Sequence, residues 1–574
     1  MSIKTKILIF LLLMVAIGFA LRFYKFDYGI AGSYVADTQT VSEAMDIGNS
    51  LVKADFGVFL KPVKYPFIVP YLILFLHGTV FLVGRVLGAF RSVTDFFKFI
   101  ALNQGFSFLV ARFISIVAGV LTVVFAFFSS KILADRLKLS RPYLAAAITS
   151  VFASFSLLLF QFSRLERPHI VAGFFILLSY FFYLRFLEKP TWKNGVWVGI
   201  GIGLAAGSLQ NGILAGIFLV IPLVLYFFRK IKSYAAILGG FLSATILIFL
   251  SYPFLILSFK KALGLSQGKF DISLSGATHN VFPFGGQGFY KIFHHLIVYE
   301  PSIFILIVIG VIVLIFKNRL REFFKADSSG LVCFAALFFI VFGFYNFTLP
   351  RYIIPLIILA AVATGPLAVE IFSLKTETDV KKKFQITGWI LLIILAAFSL
   401  AQVLRLTYLL RYPDTRDLAS DWLKNNTKTS DFILESASVV SLPPTKESIL
   451  VNKKFGGTTG RRDELMLSLT EAEYPANARA ILREWELNIG DYSKFISKNN
   501  VKYVVLTDEN GFRDFKEPLF IFAQKNLKLK ESFSPFIAGR SNLFSPFPGD
   551  FHNPVRELWG IKQMGPEVRI YSRY

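Results

Sequence analysis

The chain has 574 residues, of which 55% are hydrophobic and only 17% charged, and its mean hydropathy is +0.59. Soluble domains carry about a quarter charged residues, and a soluble fold of this size divides into several cores with polar surfaces between them. Long apolar runs recur here instead, so lipid is the solvent for most of the chain, and the net charge of +24 comes without the basic, aromatic-interleaved stripe of a nucleic-acid binder.

The first apolar run, 7–21, follows Lys4 and Lys6. No good small-x-small cleavage site precedes Arg22-Phe23-Tyr24, so it reads as an uncleaved first helix. A bilayer takes about 20 apolar residues per helix. Runs of that kind lie at 109–130, 143–160, 170–184, 195–209, 212–228, 234–257, 296–316, 330–349, 352–372 and 386–404. With the first, they predict about eleven transmembrane helices. A further segment, 66–90, is long enough to span but holds Pro66, Pro70, His77 and Arg85.

Loop charge decides how that segment is read. Loops 131–142, 185–194, 229–233, 317–329 and 373–385 carry 18 Lys and Arg together, against 3 in connections 161–169, 210–211 and 350–351. The positive set belongs in the cytoplasm, and the N-terminal lysines ask for the same side. Both demands hold only if 66–90 lies in the interface or re-enters, which makes 22–108 one extracytoplasmic loop with juxtamembrane helices. Beyond Arg405 the composition changes. Asp431-Phe-Ile-Leu434 and Val501-Lys-Tyr-Val-Val-Leu506 read as short strands, and 421–426 as helix. The fold class is therefore an all-α polytopic membrane domain, 1–405, followed by a small extracytoplasmic α/β domain, 406–574.

Ionisable residues gather on the face assigned to the outside. Asp37 opens an amphipathic helix that continues through Glu43 and Asp46, a place suited to an N-cap or to a general base. Lys64 precedes the 66–90 segment, and interfacial lysines commonly snorkel. Arg112 lies about one turn inside an apolar run, where a charge is costly and marks function by default. Ser163-Arg164-Leu-Glu166-Arg167-Pro168-His169 packs four ionisable groups into one corner, and Arg351 stands at another. Taken together, the arginines resemble an anion site with a base beside it. Cys333 is the only cysteine, so neither an intrachain disulfide nor a Cys-ligated zinc site can form. The six histidines form no metal-binding spacing, and Gly285-Gly-Gln-Gly288 lacks the context of a phosphate cradle.

The ordered set of these segments resembles a family. Lys64-Tyr-Pro66 is similar to a Lys/His-x-Pro juxtamembrane segment. Ala111-Arg112-Phe-Ile-Ser115 through Gly119-Val-Leu-Thr-Val resembles the family's second span. Ser163–His169, Arg351-Tyr-Ile-Ile-Pro355 and Asp414-Thr-Arg416 resemble its later corners and the start of its C-terminal domain. The family is the superfamily C membrane glycosyltransferases, above all the dolichyl-phosphate-mannose protein mannosyltransferases and the enzymes that glycosylate lipid A. The resemblance covers roughly 1–430, and it departs from the family pattern at Thr38 and His169, where acids are common.

The resemblance implies sugar transfer, with inversion, from a polyprenyl-phosphate-linked donor to an acceptor hydroxyl of a lipid, glycan or protein. It makes Asp37 the base, Lys64, Arg112 and Arg351 the partners of the donor phosphate, and Tyr34, Arg164, Glu166 and His169 the sugar or acceptor pocket. It requires no cofactor, and nothing in the sequence supports a divalent metal. The partners expected are the lipid-linked sugar, the acceptor and membrane lipids, with no nucleic acid. The location expected is the cell membrane, with the N-terminus cytoplasmic. A lipid or polysaccharide transporter is the alternative, although the internal repeats of such a protein are missing.

Overall fold

The computed structural model describes residues 3–30, 39–61, 63, 65–229, 233–257, 286–319, 326–345, 348–372, 379–436, 440–456, 461–508, 518–537 and 558–573. Tyr34, Asp37 and Lys64 lie outside the described residues, as do His279, His552 and Gly285. The chain divides into two units. One comprises Met1–Phe26, Gln39–Leu76 and Val110–Leu404, the other Asp27–Thr38, His77–Leu109 and Arg405–Tyr574.

In chain order the helices of the first part are α1 (Ile3–Phe23), α2 (Gln39–Lys53), α3 (Ile68–Val86), α4 (Val93–Leu102), α5 (Gln104–Arg136), α6 (Pro142–Phe155) and α7 (Leu157–Phe162). Then come α8 (His169–Glu188), α9 (Trp192–Ser208), α10 (Ile217–Phe227), α11 (Tyr234–Ser251) and α12 (Phe254–Leu257). After 258–285 follow α13 (Gln287–Tyr299), α14 (Pro301–Phe316), α15 (Ala326–Gly343), α16 (Ile354–Phe372) and α17 (Asp379–Leu409). Among the described residues, eight helical stretches are long and apolar enough to cross a membrane. The bent pair α13–α14 makes a ninth if it counts as one span.

The difference from about eleven has local causes. The run 143–160 breaks at Ser156 into α6 and α7, of 14 and 6 residues. At 1.5 Å per residue, α6 alone reaches only about 21 Å. The run 296–316 bends by 110° where Tyr299 gives way to Pro301, because the residue before proline is driven out of helical geometry. The 66–90 segment forms one unbroken helix, α3. Pro70 falls in its first turn, where the missing N–H costs nothing.

Within the first unit, α1 runs alongside α6. Its Ile7, Leu11 and Val15 pack with Phe127, Tyr143 and Ala146, while its C-terminal end lies against the corner between α7 and α8. Small residues let neighbours approach closely. A Cβ on Gly195 or Gly199 of α9 would run into the backbone carbonyls of Ala236 and Gly240 on α11. The amphipathic α2 buries Val41, Ala44 and Ile47, and Ile47 meets Val63, Phe67, Tyr252 and Phe254.

The second unit holds a five-stranded sheet of β1 (Phe432–Glu435), β2 (Ala480–Arg483), β3 (Val501–Asp508), β4 (Lys528–Phe533) and β5 (Glu567–Ser572), in the order β2-β1-β3-β5-β4. β1 is parallel to β2 and β3, and β5 is antiparallel to β3 and β4. Both faces of the parallel strands are covered, as such strands require. Leu434, Leu482, Val504 and Leu506 pack on Phe495, Ile496, Leu519 and Phe520. Ile433, Ile481 and Val505 pack on Ala419 and Leu423 of α18 (Thr415–Asn426). Both expected strands and the helix at 421–426 are present, and the chain is a multi-pass membrane protein with a small α/β region at its C-terminus.

Candidate functional site

Three residues just past α1, Tyr24, Lys25 and Phe26, are bound by arginines from elsewhere. Arg112, in the third turn of α5, donates from Nε to Glu166 at 2.8 Å and from Nη1 to the Phe26 carbonyl at 2.8 Å. Arg164 donates from Nη2 to the carbonyls of Tyr24 and Lys25, at 2.6 and 2.7 Å. Arg22 donates to Ser163 Oγ at 3.2 Å and to the Gly18 carbonyl at 3.1 Å. The guanidinium groups of Arg22 and Arg164 both lie over the Phe160 ring, with centroid distances of 5.8 and 5.5 Å.

The local folding reason is the C-terminus of α1. Its last carbonyls lack helical partners and carry the negative end of the helix dipole, so cations are favoured there. Lys25 adopts a φ of +52°, which turns the chain and presents successive carbonyls to Arg164 and Arg112. Arg22, Arg112, Arg164, Glu166 and Arg167 are all buried, from 0 to 7% exposed, so four arginines and one glutamate among the described residues gather in this corner. Buried charge is kept where it is paired and hydrogen-bonded.

A second group of contacts centres on His169, the first residue of α8, which is 1% exposed. Its ring stacks on Tyr352 at 6.0 Å and meets Tyr65 and Phe162 at 6.4 and 6.1 Å. The guanidinium of Arg351 lies 5.3 Å from the Tyr352 ring centre. His169 thus joins the Arg164 corner to the residue after Lys64 and to the Arg351 turn (Pro350–Ile353). Of the residues expected from sequence, Arg112, Arg164 and Glu166 come together at the end of α1, and His169 and Arg351 both border Tyr352. Asp37, Tyr34 and Lys64 lie outside the described residues. Of the reserve acids on α2, Glu43 is half-buried and Asp46 is exposed.

Sequence reading passed over Arg22, which is fully buried in this corner. Nothing but its place beside an apolar run signalled that it would be fully buried. Asp414-Thr415-Arg416 closes on itself instead: Arg416 Nε donates to Asp414 at 2.8 Å, and Thr415 Oγ1 donates to the Pro566 carbonyl at 2.6 Å. That segment locks the start of the α/β region to its last strand. No three of His, Cys, Asp or Glu come together among the described residues in a way that would hold a metal ion.

Residues 95–255 match the family model of dolichyl-phosphate-mannose-protein mannosyltransferases. The match supports a membrane glycosyltransferase of superfamily C. It spans Arg112, Arg164, Glu166, Arg167 and His169, while Arg22 lies outside it. Among solved structures, the chain is similar to ArnT from Cupriavidus metallidurans bound to undecaprenyl phosphate. That similarity has 10% identity over 99% of this chain and 98% of that one, with a TM-score of 0.45. It is also similar to the archaeal oligosaccharyltransferase AglB from Archaeoglobus fulgidus in complex with an inhibitory peptide and a dolichol-phosphate. There the identity is 14% over 88% and 70% of the two chains, with a TM-score of 0.44. No curated protein matches the sequence.

Proposed function

We propose that this glycosyltransferase moves a sugar from a polyprenyl-phosphate donor to an acceptor hydroxyl on the extracytoplasmic face of the cell membrane, with inversion at the sugar carbon. The observation that carries this reading is that the mannosyltransferase family match, 95–255, contains three of the buried corner's four arginines, Arg112, Arg164 and Arg167, and its carboxylate, Glu166. A lipid-linked phosphate is an anion that a membrane chain meets at its interface, and Arg binds phosphate through paired N–H donors. The transporter alternative gains nothing from the family match.

In the proposed reaction Asp37 takes the proton of the acceptor hydroxyl. The acceptor oxygen forms its bond to the anomeric carbon from the face opposite the phosphate. The bond from that carbon to the phosphate oxygen breaks, and its electron pair leaves with the lipid phosphate. Lys64, Arg112 and Arg351 neutralise the leaving group, an electrostatic role that grows as charge develops. Arg112 is already paired with Glu166. Its part is therefore to share charge between Glu166 and phosphate, with Arg351 and Lys64 as further cationic partners. Tyr34, Arg164, Glu166 and His169 border the sugar or acceptor. The supply of positioned base contributes about 10²–10⁴-fold to such a step, and the scheme calls on no metal.

Purified protein in nanodiscs, given polyprenyl-phosphate sugars and a panel of acceptors, tests this reading by release of polyprenyl phosphate. Asp37→Asn is the sharp variant. Asparagine caps a helix as well as aspartate does, so the variant is expected to fold, to bind donor, and to lose turnover by about 10²-fold or more. Turnover near the unsubstituted rate removes Asp37 from the mechanism and turns attention to Glu43. Mass spectrometry of lipid-linked sugars and glycans after gene deletion identifies the donor and acceptor.

A further inference from the structure

The bend between α13 and α14 contains a buried acid that the proposed reaction does not use. Glu300 is 3% exposed, and its Oε1 accepts hydrogen bonds from Ser156 Oγ at 2.6 Å and from the Leu158 backbone N–H at 2.8 Å. These donors form the N-terminus of α7, where a carboxylate is favoured by the helix dipole. At six residues α7 is too short to hold its own geometry. Yet it carries Phe160, beneath Arg22 and Arg164, and Phe162, against His169, and it ends at Ser163.

The same bend holds the other corner. On α13, five residues before Glu300, His295 Nε2 donates to the Thr348 carbonyl at 3.0 Å, and Thr348 Oγ1 donates to the Phe342 carbonyl at 3.2 Å. Thr348 lies three residues before Arg351. The two corners meet where His169 stacks on Tyr352. Glu300-Pro301 therefore sits at a turn from which one side reaches the Arg164 corner and the other reaches the Arg351 corner.

We propose that Glu300 is a positioning residue: its carboxylate fixes α7 and so keeps the Ser163–His169 corner in register with the Arg351 turn. Its effect on the donor site rests on the function proposed above; its effect on the register does not. Glu300→Gln keeps an acceptor oxygen for Ser156 and Leu158, whereas Glu300→Ala leaves both without it.

Two measurements separate the claims. In a Cys333→Ala background with His169→Cys and Tyr352→Cys, a short bifunctional thiol reagent reports how closely the corners stay together. Cross-linking is expected at an unchanged rate with Glu300→Gln, and about tenfold slower with Glu300→Ala, as fits the loss of a charge-assisted bond. Ser156→Asn, which keeps a side-chain oxygen to cap α7 at Leu159 N–H but not the hydroxyl donor to Glu300, and Ser156→Ala, which loses both, cover the case in which Glu300→Ala does not fold; each is expected to slow cross-linking by a smaller factor than Glu300→Ala. An unchanged rate in the folded Glu300→Ala variant, or in either Ser156 variant where those stand in, overturns the proposal.

The second measurement uses undecaprenyl phosphate as probe, with His169 and Tyr352 intact, in nanodiscs. Binding is expected to be preserved by Glu300→Gln and weakened about tenfold by Glu300→Ala. Slower cross-linking with unchanged binding would make Glu300 a structural residue only and reject its positioning role. Failure of the unsubstituted protein to bind would count against the proposed function, and the cross-linking rate would still decide whether Glu300 sets the register.

Discussion

Arg112 and Glu166 are 3% and 2% exposed, and each is the other's charge partner at 2.8 Å. Removing one member takes away the other's direct charge partner, and breaking a buried pair typically costs about 3–5 kcal/mol. Arg112→Ala is therefore expected to lower the unfolding temperature markedly. Arg112→Ala combined with Glu166→Ala is expected to be more stable than the sum of the single losses implies. Thermal unfolding of the four proteins in detergent measures the coupling, and additive losses would show that the pair is not a unit. Arg112→Lys keeps the charge but not the fork, and restores stability in part. The pair itself was half legible in the sequence. An arginine inside an apolar run stands out because hydrocarbon tolerates it so poorly. That its partner would be Glu166, 54 residues on, was not legible, since chain reversals between α5 and α8 decide it. Glu300 was harder to read, because an acid at the edge of an apolar run looks like loop.

Hydropathy registers composition and not hydrogen bonding, which is why whole elements were read better than their interruptions. The apolar stretches became helices almost wherever they were expected. The break at Ser156 was hidden because serine sits comfortably in an apolar helix, and there Ser156 caps α7 through Leu159 N–H instead. The bend at Glu300-Pro301 did carry a signal, the proline, but the run across it was long enough to pass for one span. The strands at 432–435 and 501–508 were legible from their β-branched and aromatic content.

Unforeseen in the second unit was the meeting of α4 with the segment after α20 (Arg461–Ser468; α19 is Lys446–Lys454 and α21 is Tyr492–Lys498), where Lys98 pairs with Glu473 at 3.1 Å. The backbone N–H of Thr470, then Lys98 and the Thr470 hydroxyl, hold the Glu473 carboxyl down from 4.5 to about 2. A carboxylate with a depressed pKa stabilises the folded state above its unfolded value, and that contribution is lost as pH falls through the folded value. The contact is thus expected to be complete above pH 4.5 and to weaken between there and about pH 2. Hydrogen exchange of Arg461–Ser468 should rise over that window, after correction for intrinsic rates. Glu473→Gln should flatten the rise, and an unaltered profile in that variant would assign the acid sensitivity to another group.

At the scale of the whole chain, the question is which ends of the first unit's helices share a side. The C-terminal end of α1 is bound by Arg112, near the start of α5, and by Arg164, in the corner between α7 and α8. Its N-terminal half packs beside Phe127 and Tyr143, which flank the loop 131–142 with its four Lys and Arg. These contacts support an N-terminus on the same side as that basic loop, and positive loops favour the cytoplasm. An even number of crossings must then separate α1 from α5. Ile68–Val86, though long and apolar enough to span, does not make a lone crossing in that arrangement. The Tyr71 hydroxyl near its start donates to the Leu250 carbonyl at the end of α11, and the Phe67 N–H donates to the Ser251 carbonyl. The loop-charge pattern independently assigns that end of α11 to the outer side.

Single cysteines in a Cys333→Ala background test this in intact cells with an impermeant thiol reagent. Asn103→Cys is expected to be labelled from outside, while Thr5→Cys and Asn318→Cys are labelled only after permeabilisation. If α3 crosses the membrane alone, Thr5→Cys becomes accessible from outside together with Asn103→Cys, while Asn318→Cys stays protected. Labelling of Asn318→Cys from outside would reverse the whole orientation and move the arginine corner to the cytoplasmic face, where the proposed reaction does not operate.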